Sequence, residues 1–266
     1  MKLASSCRSA AHFMVDRPEA SRLRFGLLCG GRRGRDSCGF SGRPHRHYAK
    51  ANIAVTTFEG GEEMSSSTPE ASDEVRRPVL HHVTFRTGRL QEMIDWYGNL
   101  VGVRPLFQFE GGAWLTNDAA NHRIAFLFAP EIADDPDLRI HSGMHHSAFE
   151  YVHLDDLLLT WERLDKQGIK PHFAVDHGLT TSIYYVDPDG NSVELQADNF
   201  GDWAASSEFM RSSPYFAKNP IGQPVDPCKM LEARRAGMDA KEVQRRAYAG
   251  EFPPEEEYDV RFGKAA

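Results

Sequence analysis

The chain is predicted to be an α+β protein: two tandem βαβββ modules closing one curved mixed sheet, followed by a helical C-terminal tail. Three observations carry this. A unit that switches from alternating to helical periodicity starts near Val79, and a second starts near His145. The two align at an offset that drifts only from 64 to 66 residues: His82 with His146, Leu90 with Leu154, Trp96 with Trp161, Gly102 with Gly168. The third is Tyr184–Leu195, which reads as strand, tight turn, strand around Asp187-Pro188-Asp189-Gly190. Either module alone would leave one sheet face bare, so the two should close on each other.

In module one (78–128), Val79–Thr87 is a β-rich run. Leu90, Met93, Ile94, Tyr97 and Leu100 then fall at helical spacing, and Gly102 stops the helix. Strands are expected at 104–109, 113–116 and 123–128, the first two joined across Gly111-Gly112 as a hairpin. Residues 129–143 form a polar connection. In module two (144–198), Asp155 or Asp156 is expected to cap a helix whose apolar face is Leu157, Leu158, Trp161 and Leu164. Strands at 171–175, 180–186 and 192–197 complete it. The tail, 199–266, suggests helices near 202–211, 229–235 and 239–248, packed on the outside of the core or on a second subunit.

Residues 1–77 are read as a disordered basic extension: a transit peptide, or a non-native start with Met64 as the true first residue. Residues 1–57 hold eleven Lys/Arg against three Asp/Glu, so the remainder carries about −15 of the formal −7 total. An acidic body argues against nucleic acid as a partner. No apolar run approaches the ~18 residues of a membrane span. Three of four cysteines lie before residue 39 and no pair has zinc-ligand spacing, which suits a reducing compartment. The expected location is cytoplasmic, or the mitochondrial matrix if residues 1–63 are a genuine eukaryotic transit peptide. A homo-oligomer is expected.

Strand parity supplies a site. His82, Thr84 and Arg86 share one face of the first strand, with Val83 and Phe85 against the helix. The same parity puts His146 and Ala148 inward in module two, with His81 and His145 pointing away. On the last strand Glu194 is inward, between Val193 and Leu195. Two imidazoles and a carboxylate on repeat-equivalent strands form the ligand set of a non-haem Fe(II) site: His82, His146 and Glu194.

These residues, with His82-Val83-Thr84-Phe85, His146-Ser147-Ala148-Phe149 and Tyr184–Leu195, resemble the vicinal oxygen chelate superfamily, which includes glyoxalase I, fosfomycin-resistance proteins and extradiol ring-cleaving dioxygenases. The resemblance covers 78–198. It is most similar to single-domain type I extradiol enzymes, because the last strand of module one, 124–128, offers no fourth ligand of the glyoxalase kind. Tyr184 stands ten residues before Glu194, as the substrate-contacting tyrosine does in that branch. His177 lies about where those enzymes place an active-site histidine, and His141 is the candidate for a further one. The resemblance implies Fe(II), with Mn(II) as an alternative, a catechol-type substrate such as a biphenyl-2,3-diol, O2, and catalytic roles for His177 and Tyr184. Trp114, Phe107 and Phe173 are candidate pocket walls, with core packing the default role of each. Two other readings stay open: a metal-dependent transferase, lyase or isomerase of the glyoxalase or fosfomycin type, with Arg86 inward for an anionic substrate, and a non-catalytic small-molecule-binding module.

Overall fold

The computed structural model describes residues 75–256, so the readings placed on residues 1–74, Met64 included, lie outside the described residues. Module one runs β1 (Val83–Thr87), α1 (Leu90–Val101), β2 (Arg104–Phe109), β3 (Gly112–Thr116) and β4 (Ile124–Phe128). Module two repeats it with β5 (His146–Tyr151), α2 (Leu154–Lys166), β6 (Phe173–Asp176), β7 (Thr180–Val186) and β8 (Ser192–Asp198). In α1 the expected stripe Met93, Ile94, Tyr97 and Leu100 is buried. Gly102, at φ 71°, closes the helix by donating its amide to the Gly98 carbonyl.

The start of α2 differs from expectation. Its N-cap is His153, with no side-chain cap, and Asp155 lies inside the first turn. There a carboxylate still complements the helix dipole. Asp155 is instead gripped by Arg234 through paired bonds of 2.6 and 2.7 Å. A cap and a long-range guanidinium compete for the same oxygens, and here the bidentate pair wins.

Each module pairs its first and last strands in parallel, β1 with β4 and β5 with β8. The strand orders are β1-β4-β3-β2 and β5-β8-β7-β6-β9. Among the described residues no ladder joins the two sheets. The modules and the α+β class stand, but one continuous hydrogen-bonded sheet is not formed. The halves are instead united by one apolar core that runs from Phe85, Tyr97 and Phe126 to Leu157, Ile183 and Leu195. A polar clasp adds to it: the Tyr97 hydroxyl donates to Asp187 Oδ2 at 3.0 Å, and Asp187 also accepts from the Asp189 and Asn191 amides of its own turn.

The tail is α3 (Trp203–Ser212), α4 (Pro214–Lys218), β9 (Gln223–Pro224), α5 (Pro227–Arg235) and α6 (Ala240–Tyr248). Asp202, Ser213, Asp226 and Asp239 cap its four helices through their side chains. It packs into the core rather than outside it, since Met230, Leu231, Val243 and Ala247 belong to the main cluster. The strand β9, pairing with the edge of β6, was not expected. Two residues are too few to show alternation. Among the described residues no helix is long and apolar enough to cross a membrane.

Every residue of β2 is exposed. Phe107 and Trp114, whose default role was core packing, stand out at 53% and 41% exposure, whereas Phe173 is buried. For Trp114 the cause is the pleat, because its β3 neighbours Ala113 and Leu115 take the buried face; β2, which carries Phe107, is exposed on both faces.

Candidate active site

On β8 the side chains alternate as the strand demands. Val193, Leu195 and Ala197 enter the main core, while Glu194 is buried on the other face. Glu194 is paired across the ladders with Tyr184 on β7 and with Ala148 on β5. The small Ala148 leaves the carboxylate open toward His146, two residues earlier on the same face. Glu194 Oε2 lies 3.0 Å from His146 Nε2, and Oε1 accepts from the Tyr184 hydroxyl at 2.8 Å. That hydroxyl is in turn 3.1 Å from His177 Nε2, and His177 Nδ1 is 2.5 Å from the Ile221 carbonyl. His146, Glu194, Tyr184 and His177 therefore form one unbroken polar line. Phe173 stacks on Tyr184 with ring centroids 4.1 Å apart and fixes the phenol in place.

Burial sets the protonation of these groups. It pushes the Tyr184 phenol up, reinforced by the adjacent Glu194 charge, so the phenol keeps its proton. Burial also works against charge on Glu194, but hydrogen bonds from His146, Ser182 and Tyr184 outweigh it and hold the carboxyl below its ordinary range. His177 is shifted down by burial, which the Glu194 charge only partly offsets.

The residue before His177 is a fully buried carboxyl. Asp176 Oδ1 accepts the Gly178 amide at 2.8 Å, and its two oxygens meet the Asn199 amide at 3.2 and 3.1 Å. Thr181 Oγ1 lies 2.8 Å from Asp176 Oδ2 and 2.9 Å from Asn199 Oδ1, and its single proton can serve only one of them. A protonated Asp176 donating to Thr181, which donates to Asn199, satisfies every contact. Desolvation accordingly raises the Asp176 pKa from 3.8 to about 7.

His82 is placed differently. It immediately precedes β1, is exposed, and keeps company with His81 (Nδ1 to Nδ1 3.0 Å) and His122 (ring centroids 4.3 Å). Among the described residues these three form the one set of at least three His, Cys, Asp or Glu side chains spaced for a shared metal ion. His82 is not brought into such a set with His146 and Glu194. His81 and His145, expected to point away, each contact the neighbouring histidine, His145 at 2.7 Å. His122 escaped sequence reasoning because it lies in a loop. Its signal is topological: pairing Val83 with Ile124 puts the residues before β4 beside those before β1. His172 was also missed. Its Nε2 lies 3.3 Å from the Ser192 hydroxyl, its Nδ1 is buried without a partner among the described residues, and burial shifts it down to about 4. His141 sits in the connection between modules against Asp135, apart from the His177 line.

The donor chemistry fits a divalent metal. Two ligands held about 2.1 Å from one ion at right angles lie about 3 Å apart. The His146–Glu194 contact of 3.0 Å has that spacing.

A duplicated βαβββ fold, with His146 and Glu194 on the sheet face away from the main core, defines a class of α+β proteins. Within it, residues 79–195 match the Glyoxalase/Bleomycin resistance protein/Dioxygenase superfamily, and the chain belongs to that superfamily. It is 38% identical to biphenyl-2,3-diol 1,2-dioxygenase 2 of Rhodococcus globerulus over 178 residues, 67% of this chain and 93% of that protein. It is 37% identical to biphenyl-2,3-diol 1,2-dioxygenase 3 of the same organism, covering 65% of this chain and 90% of that protein. Among solved structures, a glyoxylase/bleomycin resistance protein/dioxygenase domain from Frankia sp. EAN1pec superposes with a TM-score of 0.40 at 17% identity, over 46% of this chain and 93% of that one.

Proposed function

We propose that the chain is an Fe(II)-dependent extradiol dioxygenase that opens the aromatic ring of a catechol-type diol, of the biphenyl-2,3-diol kind, with O2. The observation that carries this reading is the polar line from His177 through Tyr184 to Glu194 and His146, which links a proton-handling group to two metal donors. The names of the relatives at 37–38% identity support it. His146 and Glu194 are two ligands and His82 is the third, with Mn(II) the alternative to iron. When bound, the metal acidifies the diol hydroxyls and gives electrons a route from the ring to oxygen.

The chain's own residues do the rest. Tyr184, kept neutral by burial, turns its one proton from Glu194 to a substrate oxygen when the diol binds. His177, neutral because burial disfavours its charge, accepts a proton from a diol hydroxyl at Nε2 and returns it to oxygen as the ring opens. Phe173 backs the phenol, and the exposed faces of Phe107 and Trp114 offer stacking surface to an aryl substituent.

The test is anaerobic reconstitution with Fe(II), metal analysis, and then a panel of catechols and dihydroxybiphenyls in an oxygen electrode. Oxygen uptake with a yellow ring-opened product is expected. Iron bound at one per chain with no diol consuming oxygen would overturn the proposal and leave the transferase, lyase or isomerase reading.

A further inference from the structure

The tail meets the His177 ring through the Ile221 carbonyl, and that contact decides a proton. A carbonyl oxygen can only accept, so the 2.5 Å contact between Ile221 and His177 requires hydrogen on Nδ1. Nε2 is then the nitrogen facing Tyr184, 3.1 Å away; the phenol's one proton goes to Glu194, so this contact becomes a hydrogen bond when Nε2 is protonated and donates to the phenol oxygen. The Ile221 carbonyl is itself held by a closed turn. The Asn219 side chain donates to the Gly222 carbonyl at 2.8 Å and accepts the Gly222 amide at 3.2 Å, while the Tyr248 hydroxyl donates to the Asn219 carbonyl at 3.2 Å.

The turn cannot stand further from the histidine, because β9 is laddered to β6 through Asp176 with Gln223 and Val175 with Pro224. At Gly222 the backbone has φ +96°, and a Cβ would lie 2.1 Å from the Asp176 carbonyl oxygen and 2.7 Å from His177 Cα. Only glycine allows this approach. On the other side of the same turn, a Cβ on Gly178 would lie 2.8 Å from the Tyr248 ring. The 176–178 corner is thus gripped between α6 and the 219–222 turn.

We propose that Asn219-Pro220-Ile221-Gly222 is a positioning element of the active site, locking His177 as the Nδ1–H tautomer so that protons enter and leave only at Nε2, toward Tyr184 and the substrate. Ile221 satisfies Nδ1–H whether Nε2 is bare or protonated, so the ring keeps its orientation through a proton-transfer cycle. The catalytic half of this inference rests on the dioxygenase reading; the tautomer does not.

The experiment uses the full chain, metal-free, with 15N-labelled histidine rings. Long-range proton–nitrogen spectra report which ring nitrogen carries hydrogen, and loss of one pattern in His177→Gln assigns it. Above the His177 titration, a protonated Nδ1 and a bare Nε2 are expected. Gly222→Ala should convert this to a tautomer mixture and lower kcat tenfold or more at unchanged KM and iron content. On a His177→Ala background Gly222→Ala should cost nothing further, because it acts through that ring. If Gly222→Ala fails to fold, Asn219→Ala, which removes only the side chain closing the turn, should show the same pattern at several-fold. A wild-type His177 with hydrogen on Nε2 alone overturns the proposal, as does full multiplication of the two kinetic losses. A locked tautomer in a chain that consumes no diol would instead sink the dioxygenase reading and leave the clamp.

Discussion

Asp176 offers the most quantitative test of the site's architecture. Its carboxyl has an ordinary pKa of 3.8 in the unfolded chain and about 7 in the folded one, because burial removes water and the hydrogen bonds from Gly178, Thr181 and Asn199 only partly offset that loss. The folded state therefore holds a proton that the unfolded state has released. Stability is fully present below the lower value and is lost as pH rises through about 7, at up to about 1.4 kcal/mol per pH unit. Between pH 5 and pH 8 the loss comes to about 2.5 kcal/mol. Asp176→Asn mimics the protonated carboxyl, keeping an acceptor for Gly178 and gaining a donor for Thr181, and it cannot titrate. Urea unfolding followed by circular dichroism at several pH values should show the variant gaining on wild type by about 2.5 kcal/mol from pH 5 to pH 8. Parallel stability curves, or a wild type that gains on the variant as pH rises, would refute the assignment of a neutral buried carboxyl.

Two further predictions concern the donors. His146→Ala should abolish stoichiometric iron binding by removing the partner of Glu194, while His145→Ala should leave metal content near one per chain; equal loss from both defeats the strand-parity argument. Tyr184→Phe should leave iron content intact, since Glu194 still meets His146, yet lower kcat by about a hundredfold or more. Loss of iron together with activity would make Tyr184 a mere support for the carboxylate.

How much of this was legible beforehand depends on the range of the interaction. The helical stripe of α1, the stop at Gly102 and the inward parity of Glu194 are local: each follows from side-chain period and backbone freedom within a few residues. The duplication extended that reading, because equivalent strands carry equivalent faces. It could not say whether the edges β1 and β5 would join, nor that His81 and His122 would stand beside His82. The Asp155 cap failed for the same reason, since Arg234, 79 residues away, competes for its oxygens.

By itself, then, the sequence determined the α+β class, the two modules and the face on which Glu194 and His146 lie, because strand and helix periods are written residue by residue. Only the tertiary structure decided which groups meet. The Ile221 carbonyl on His177 and the place of His122 each depend on one contact between distant segments. A single contact of that kind has no period, and a backbone carbonyl has no letter of its own.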